Sequence, residues 1–224
     1  MSAALDHLVV LADTLAEGAA WCEATLGVAP APGGEHPLFG THNRLLAIGS
    51  AAFAQAYLEI IAVDPGATPA RRRWFDMDDE ALRAQVRAHG PRLIHWVARV
   101  PDLAQALAAW AAQGLDAGVP LAASRMTPRG LLEWQIAVRA DGRRLMHGCL
   151  PTLIEWGAVH PAPSLPASGV TLDALTLRHP QAAALQRALD AIGLHGICIE
   201  QAGTAAMRAR LATGAVWAAL DSDF

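Results

Sequence analysis

The sequence predicts an α+β fold: paired βαβββ modules forming a curved mixed sheet around a cleft, plus a degenerate third βαβββ-like unit. Three observations predict it. The runs "LDHLVV" and "LIHWVA" each set one histidine, His7 and His95, inside an otherwise apolar strand, 88 positions apart. Each is followed by a turn with Asp, an amphipathic stretch ending in Trp21 or Trp110, and a Gly-containing stop. A fainter third copy, "VTLDALTLRHPQAAALQRALDAIGLHGICIE", carries Ala174 where the histidines stood. A repeat constrains the architecture before any single element is assigned.

The elements follow in chain order. After the first strand and a helix of about twelve residues with period near 3.6, "THNRLLAIG" and "AYLEIIAVDP" read as strands, closing a first module at residues 1–65. Residues 66–91, "GATPARRRWFDMDDEALRAQVRAHGP", read as an inserted loop and a helix starting near Asp78 or Asp79. The second module, 92–162, continues through "VPLAASRMTP", "GLLEWQIAVRADG" and "LPTLIEWGAV". The linker "HPAPSLPASG" leads into the third unit, 163–224. Pro65, Pro151 and Pro161 punctuate the strands, as expected of a residue that donates nothing to a sheet ladder. A single module is too small to bury an adequate core alone, so paired modules sharing one sheet are expected.

Composition narrows the function. A chain of 224 residues with 53% hydrophobic and 17% charged residues has enough apolar surface for a sizeable core. A net charge of −4 lacks the clustered cations that phosphate backbones require, so nucleic acid is not expected as a partner. Cys22, Cys149 and Cys198 form no CxxC pair and suggest neither a disulfide framework nor a zinc knuckle, which fits a cytoplasmic protein. No run of 18 uncharged apolar residues occurs, and Asp6 and Asp13 interrupt the first apolar stretch, so no membrane span or export signal is expected. GxSxG, HExxH, P-loop and dinucleotide-binding glycine patterns are absent.

The chemistry is expected at four positions. Glu59 interrupts "YLEIIAV" and Glu155 interrupts "TLIEWG". A buried carboxylate is costly unless it is paired, hydrogen-bonded or bound to a cation. Strand alternation puts Leu5, His7 and Val9 on one face, and Tyr57, Glu59 and Ile61 on one face of another strand. If two like units pair about a pseudo-twofold, His7, Glu59, His95 and Glu155 converge. Two imidazoles and two carboxylates would match a divalent metal ion such as Zn, Mn, Fe, Co or Ni.

These residues carry a family resemblance. "LDHLVV" with His7, "LEIIAVDP" with Glu59, "LIHWVA" with His95 and "LIEWG" with Glu155, together with "HNRLLAIG" and "RRRWF", resemble the vicinal oxygen chelate superfamily and its glyoxalase-like domain proteins over residues 4 to 160. The resemblance implies a metal held by the first and last strands of each module, with the four named residues as ligands. It also implies that Glu59 or Glu155, released from the metal, serves as a catalytic base. Members often carry Gln at the position of Glu155, and some bind no metal.

Further candidates line the expected cleft. Arg44, with His42 and Asn43, would orient an anionic substrate; Trp74, Trp134 and Trp156 would bind substrate as walls. Arg71, Arg72 and Arg73, before Trp74 and Phe75, form a candidate lid, and Glu133 is a substitute ligand or base. The leading expectation is a metal-dependent enzyme performing isomerase- or lyase-type proton chemistry on a small oxygenated substrate, with the metal as Lewis acid. The alternatives are a non-haem iron dioxygenase using His7, His95 and Glu155, and a metal-free protein that binds or sequesters a small molecule. A homodimer is compatible with either, because modules of this superfamily pair within or between chains.

Overall fold

The two histidine-bearing strands lie side by side at the centre of the molecule, a computed structural model that describes residues 2–127, 130–214 and 216–222. Strand β1 (Ala4–Leu11) pairs antiparallel with a second central strand, Arg92–Arg99, about a local twofold near Leu8 and Trp96. His7 therefore sits opposite Val97, and Val9 opposite His95. The first half completes its share with β2 (Ala31–His36), β3 (Thr41–Ala47) and β4 (Tyr57–Val63). The second half contributes β5 (Arg92–Arg99), β6 (Val119–Thr127), β7 (Gly130–Val138) and β8 (Thr152–Trp156). Together they form an eight-stranded curled sheet in the order β2-β3-β4-β1-β5-β8-β7-β6, in which β1–β4 and β5–β8 are parallel and the remaining pairs antiparallel.

Strand β2, "APGGEH", is absent from the sequence reading because Pro32, Gly33 and Gly34 all oppose strand formation. It is an edge strand, paired only with β3 and with a register shift between Pro32 and Glu35. The far edge, β6, curls round towards it, and this near-closure creates an interior.

Helix α1 (Leu15–Leu26) starts where the Thr14 hydroxyl accepts from the Glu17 amide and stops at Gly27, whose φ of 75° suits a residue without Cβ. The inserted helix α2 (Glu80–His89) is capped by Asp79, within the expected start, and α3 (Leu103–Ala111) by Asp102. Behind the sheet, β9 (Val170–His179), α4 (Ala182–Ala191), β10 (Cys198–Gln201), β11 (Ala206–Thr213) and β12 (Val216–Asp221) build a four-stranded sheet in the order β10-β9-β11-β12. The expected third unit's residues 215, 223 and 224 lie outside the described residues.

Strand alternation divides the large sheet into two faces. Leu8, Val10, Leu58, Ile60, Trp96 and Leu153 point to α1, α3 and the third unit and merge with it into one core. The indole of Trp110 ties α3 to α4 by donating to the Ala188 carbonyl at 2.8 Å. On the other face Val9, Ile61, Val97, Ile136 and Ile154 pack beneath Trp74, Phe75 and Met77 of the insertion, with Leu82 and Val86 of α2. No described helix is long and apolar enough to cross a membrane.

Candidate functional site

The cleft face of β1 and β4 carries polar groups where the rest is apolar. His7, Tyr57 and Glu59 project into a pocket shared with His36, Asn43, Trp74, Phe75, Arg125, Trp134 and Trp156. His7 and Glu59 are both nearly inaccessible, at 5% and 4% exposure, so each must find partners inside the protein.

Those partners come from an irregularity. Between Leu5 and His7 the β1–β5 register shifts, leaving Asp6 unpaired against β5. Strict alternation would send Asp6 to the opposite side from His7. Instead Asp6 Oδ1 lies 2.7 Å from His7 Nδ1, and Asp6 Oδ2 accepts from the Trp156 indole at 3.0 Å and meets His160 Nε2 at 2.9 Å. Burial opposes the Asp6 charge, but the bonds to His160 and His7 outweigh it and hold this carboxyl well below the ordinary range. An ionised Asp6 accepts the His7 Nδ1 proton, which leaves Nε2 facing the pocket.

His7 Nε2 stands 3.6 Å from Glu59 Oε2. The other oxygen of Glu59 accepts from the Asn43 amide at 2.5 Å, and Asn43 is itself held by the Gly34 amide, which donates to its Oδ1 at 2.7 Å. A Cβ on Gly33 would overlap the Asn43 side chain. The glycine pair that disqualified β2 as a strand thus makes room for the group that positions Glu59. His7 also stacks on Tyr57, with ring centroids 4.6 Å apart. Burial first, then nearby Asp6 and Glu59, keep the Tyr57 phenol protonated well above its usual range, and burial pushes His36 down to about 4, so it is neutral near pH 7.

The second half does not reproduce this arrangement. His95 lies on the same face as His7, but its Nδ1 meets the Gly148 carbonyl at 3.1 Å and its Nε2 the Thr152 hydroxyl at 3.0 Å. Both ring nitrogens are occupied, and burial, aided by Arg144, keeps the ring neutral. Glu155 is turned the other way. In β8 Ile154 and Trp156 face the cleft, so Glu155 points to the helices, where its Oε2 accepts from the Leu103 amide at 2.7 Å and caps α3. The expected convergence of four ligands is therefore corrected to a pair, His7 and Glu59. The expectation failed on pleat parity: the true counterpart of Glu59 is Thr152, because Val9 pairs with Glu59 as Val97 pairs with Thr152.

The donor set decides how a divalent cation would fit. No group of three or more His, Cys, Asp or Glu side chains able to hold a metal occurs among the described residues. The four-ligand site does not fit these residues, and neither does an iron triad of His7, His95 and Glu155.

Among the substrate-binding candidates, Trp74, Trp134 and Trp156 line the pocket, the last two with ring centroids 5.6 Å apart. Arg44 does not: it alternates with Asn43 and Leu45, and those two face inward. Glu133 is exposed on the outer side of β7. The "RRRWF" segment covers the cleft. Trp74 lies between Phe39 (3.9 Å) and Phe75 (5.0 Å), and Phe75 and Asp76 hold left-handed φ of 58° and 59°. Such conformations cost about 1–3 kcal/mol each. They persist because Asp76 donates its amide to Gly142 and pairs with Arg144 at 2.8 Å. Sequence reasoning missed Asp6, His36, His160 and Arg125. Asp6 was visible as the neighbour of His7, but the bulge that turns it inward leaves no sequence signal.

A family model described as a glyoxalase-like domain matches residues 5–193. Among solved structures, a hypothetical protein from Staphylococcus aureus is similar with a TM-score of 0.61 and 12% identity, over 92% of this chain and 88% of that one. At that identity the likeness is one of fold, and it extends into the third unit. Methylmalonyl-CoA epimerase from Mycobacterium tuberculosis superposes with a TM-score of 0.39 at 16% identity, over 72% of this chain and 91% of that one. The Streptomyces coelicolor enzyme of the same name, in complex with 2-nitronate-propionyl-CoA, gives 0.44 at 17% over 70% and 96%. No curated protein matches the sequence.

Proposed function

The chain belongs to the glyoxalase-like domain family of the vicinal oxygen chelate superfamily, and from that premise we propose that it is an enzyme that moves a proton on a small oxygenated substrate, the reaction core of an isomerase or lyase. One observation carries the reading: His7 Nε2 and Glu59 Oε2, 3.6 Å apart and nearly inaccessible, face one pocket, each held from behind by a dedicated partner, Asp6 or Asn43.

The carboxylate of Glu59 takes a proton from the carbon beside a carbonyl. The C–H electron pair becomes a C=C bond and the carbonyl π pair moves to oxygen, giving an enolate. His7 exchanges a proton with Glu59 or with the substrate, and Asp6 holds its tautomer. Tyr57, kept as a phenol and hydrogen-bonded to Asp6, packs its ring on His7 and fixes the plane of that imidazole. Return of the proton to the same carbon on its other face, or to oxygen, gives an isomer; loss of a neighbouring group gives elimination. The buried setting strengthens each electrostatic contact.

The test is solvent deuterium incorporation into small 2-oxo acids and 2-hydroxy ketones, followed by NMR with the wild type and with His7→Ala. Exchange that needs His7 supports the reading; exchange unchanged in His7→Ala overturns it. A metal-free binding protein is the second reading, favoured by the paired indoles of Trp134 and Trp156. It predicts ligand affinity without turnover in wild type.

A further inference from the structure

Arg125 is a cation with no counter-ion among the described residues for its buried nitrogens. It projects from β6 at one edge of the curled sheet and reaches β2 at the other, where its guanidinium lies against Gly34 so closely that a Cβ there would overlap Nη1. Its Nε and Nη1 are inaccessible and have no hydrogen-bond partner among the described residues. An arginine stays charged, its N–H groups form a planar fork, and leaving them unsatisfied in a buried setting is costly. The sequence spends Gly34 on admitting this group, although an exposed arginine on an edge strand needs no such room.

We propose that Arg125 is the anchor for a substrate carboxylate, and that the aromatic walls around it select acids with an apolar body. The pocket offers the remaining features of such a subsite. Arg125 and the His7–Glu59 pair line the same cavity, whose other walls are Trp74, Phe75, Trp134 and Trp156. A carboxylate matches the guanidinium fork through two parallel bonds and supplies the missing acceptors. The aromatic faces then take the rest of a small acid, leaving the carbon next to its oxygenated group towards Glu59. The cavity's own anion, Glu59, is bonded to Asn43 and stands beside His7 rather than forming an ion pair with Arg125 among the described residues, so a substrate carboxylate supplies the direct partner. His36, neutral and packed edge-on to Trp74, adds no competing cation.

The proposal names the substrate class of the proton-transfer reading and rests on it for the use of the bound acid, but binding is measured apart from turnover. Isothermal titration compares hydrocinnamate, pivalate and malonate with their neutral amides, on the wild type, Arg125→Gln and Arg125→Lys. The expected result is at least one acid bound about tenfold or more tighter than its amide, a preference that collapses in Arg125→Gln and partly returns in Arg125→Lys. No acid binding better than its amide, or a preference surviving in Arg125→Gln, overturns the proposal. If Arg125→Gln fails to fold, loss of the preference in folded Gly34→Ala, whose Cβ displaces the guanidinium, supports it, and retention overturns it. Arg125-dependent binding with no deuterium exchange in any acid leaves this proposal standing and removes the proton-transfer reading.

Discussion

Thr152 meets His95 as Glu59 meets His7: its hydroxyl lies 3.0 Å from His95 Nε2, and it pairs with Val97 as Glu59 pairs with Val9. One half of the duplicated sheet thus keeps a charged, pocket-facing pair, and the other keeps a neutral pair whose hydrogen bonds close on the protein itself. The site is one-sided, although the fold around it is nearly symmetric.

From this follows a separation of roles. His95→Gln leaves bonds to Gly148 and Thr152 incompletely made, and costs about 2 kcal/mol, a fall of roughly 4–8 °C in melting temperature for a chain of this size. Deuterium exchange per folded molecule stays within a few-fold of wild type. Glu155→Gln weakens the α3 cap by about 1 kcal/mol and also spares exchange. Calorimetry and NMR on the two variants check both halves of the statement; a hundred-fold loss of exchange in either contradicts it.

Asp6 acts on the proton transfer through His7. Asp6→Asn keeps a similar shape but offers His7 an amide in place of an ionised acceptor, so the Nδ1–H tautomer is no longer enforced. We expect exchange to fall by about ten- to a hundred-fold with KM changed less than kcat. A variant in which KM alone rises assigns Asp6 to binding instead.

Stability should decline with acidification before any carboxylate titrates. Folded His95 resists protonation because burial disfavours its charge, whereas the unfolded imidazole takes a proton near pH 6.5. The unfolded state therefore binds more protons below that pH, and stability drops as pH falls from about 6.5. His36, held down to about 4, adds in the same direction, and Asp6 adds a further loss below the ordinary carboxylate range. Urea unfolding at pH 7.5 and 5 measures the effect. In His95→Gln the slope between those two pH values is smaller, and an unchanged slope contradicts the assignment.

Gly34→Ala tests the room made for Arg125. The alanine Cβ meets only the far end of a flexible side chain, so the melting temperature changes by no more than a few degrees while the preference for acids over amides is lost. Loss of fold, with no effect on ligand preference in what remains folded, points to a purely structural glycine.

The sequence disclosed the scaffold because periodicity and repetition are written locally: "LDHLVV" and "LIHWVA" took the two central strands, and Asp79 the start of the inserted helix. His7 and Glu59 were legible for the same reason, as polar breaks in apolar strands of known parity. Glu155 misled because a polar break does not reveal which face it occupies. Glu155 lies three positions beyond Thr152, the counterpart of Glu59, and that odd offset turned it from the cleft to a helix end. Asp6 depended on a bulge in the partner pairing, and β2 on a glycine pair whose role is fulfilled only by Asn43 and Arg125 arriving from other strands. Such features are set by register and curvature between distant segments, which no local pattern encodes.

The most direct measurement is the rate of solvent deuterium entry into a carboxylate-bearing carbon acid such as phenylpyruvate, in the wild type and in Glu59→Gln, both loaded to saturation. The account predicts enzyme-dependent exchange that drops by about a hundred-fold or more in Glu59→Gln while ligand binding persists through Arg125. Bound acid that never exchanges in the wild type, or exchange that survives the loss of the Glu59 carboxylate, contradicts it.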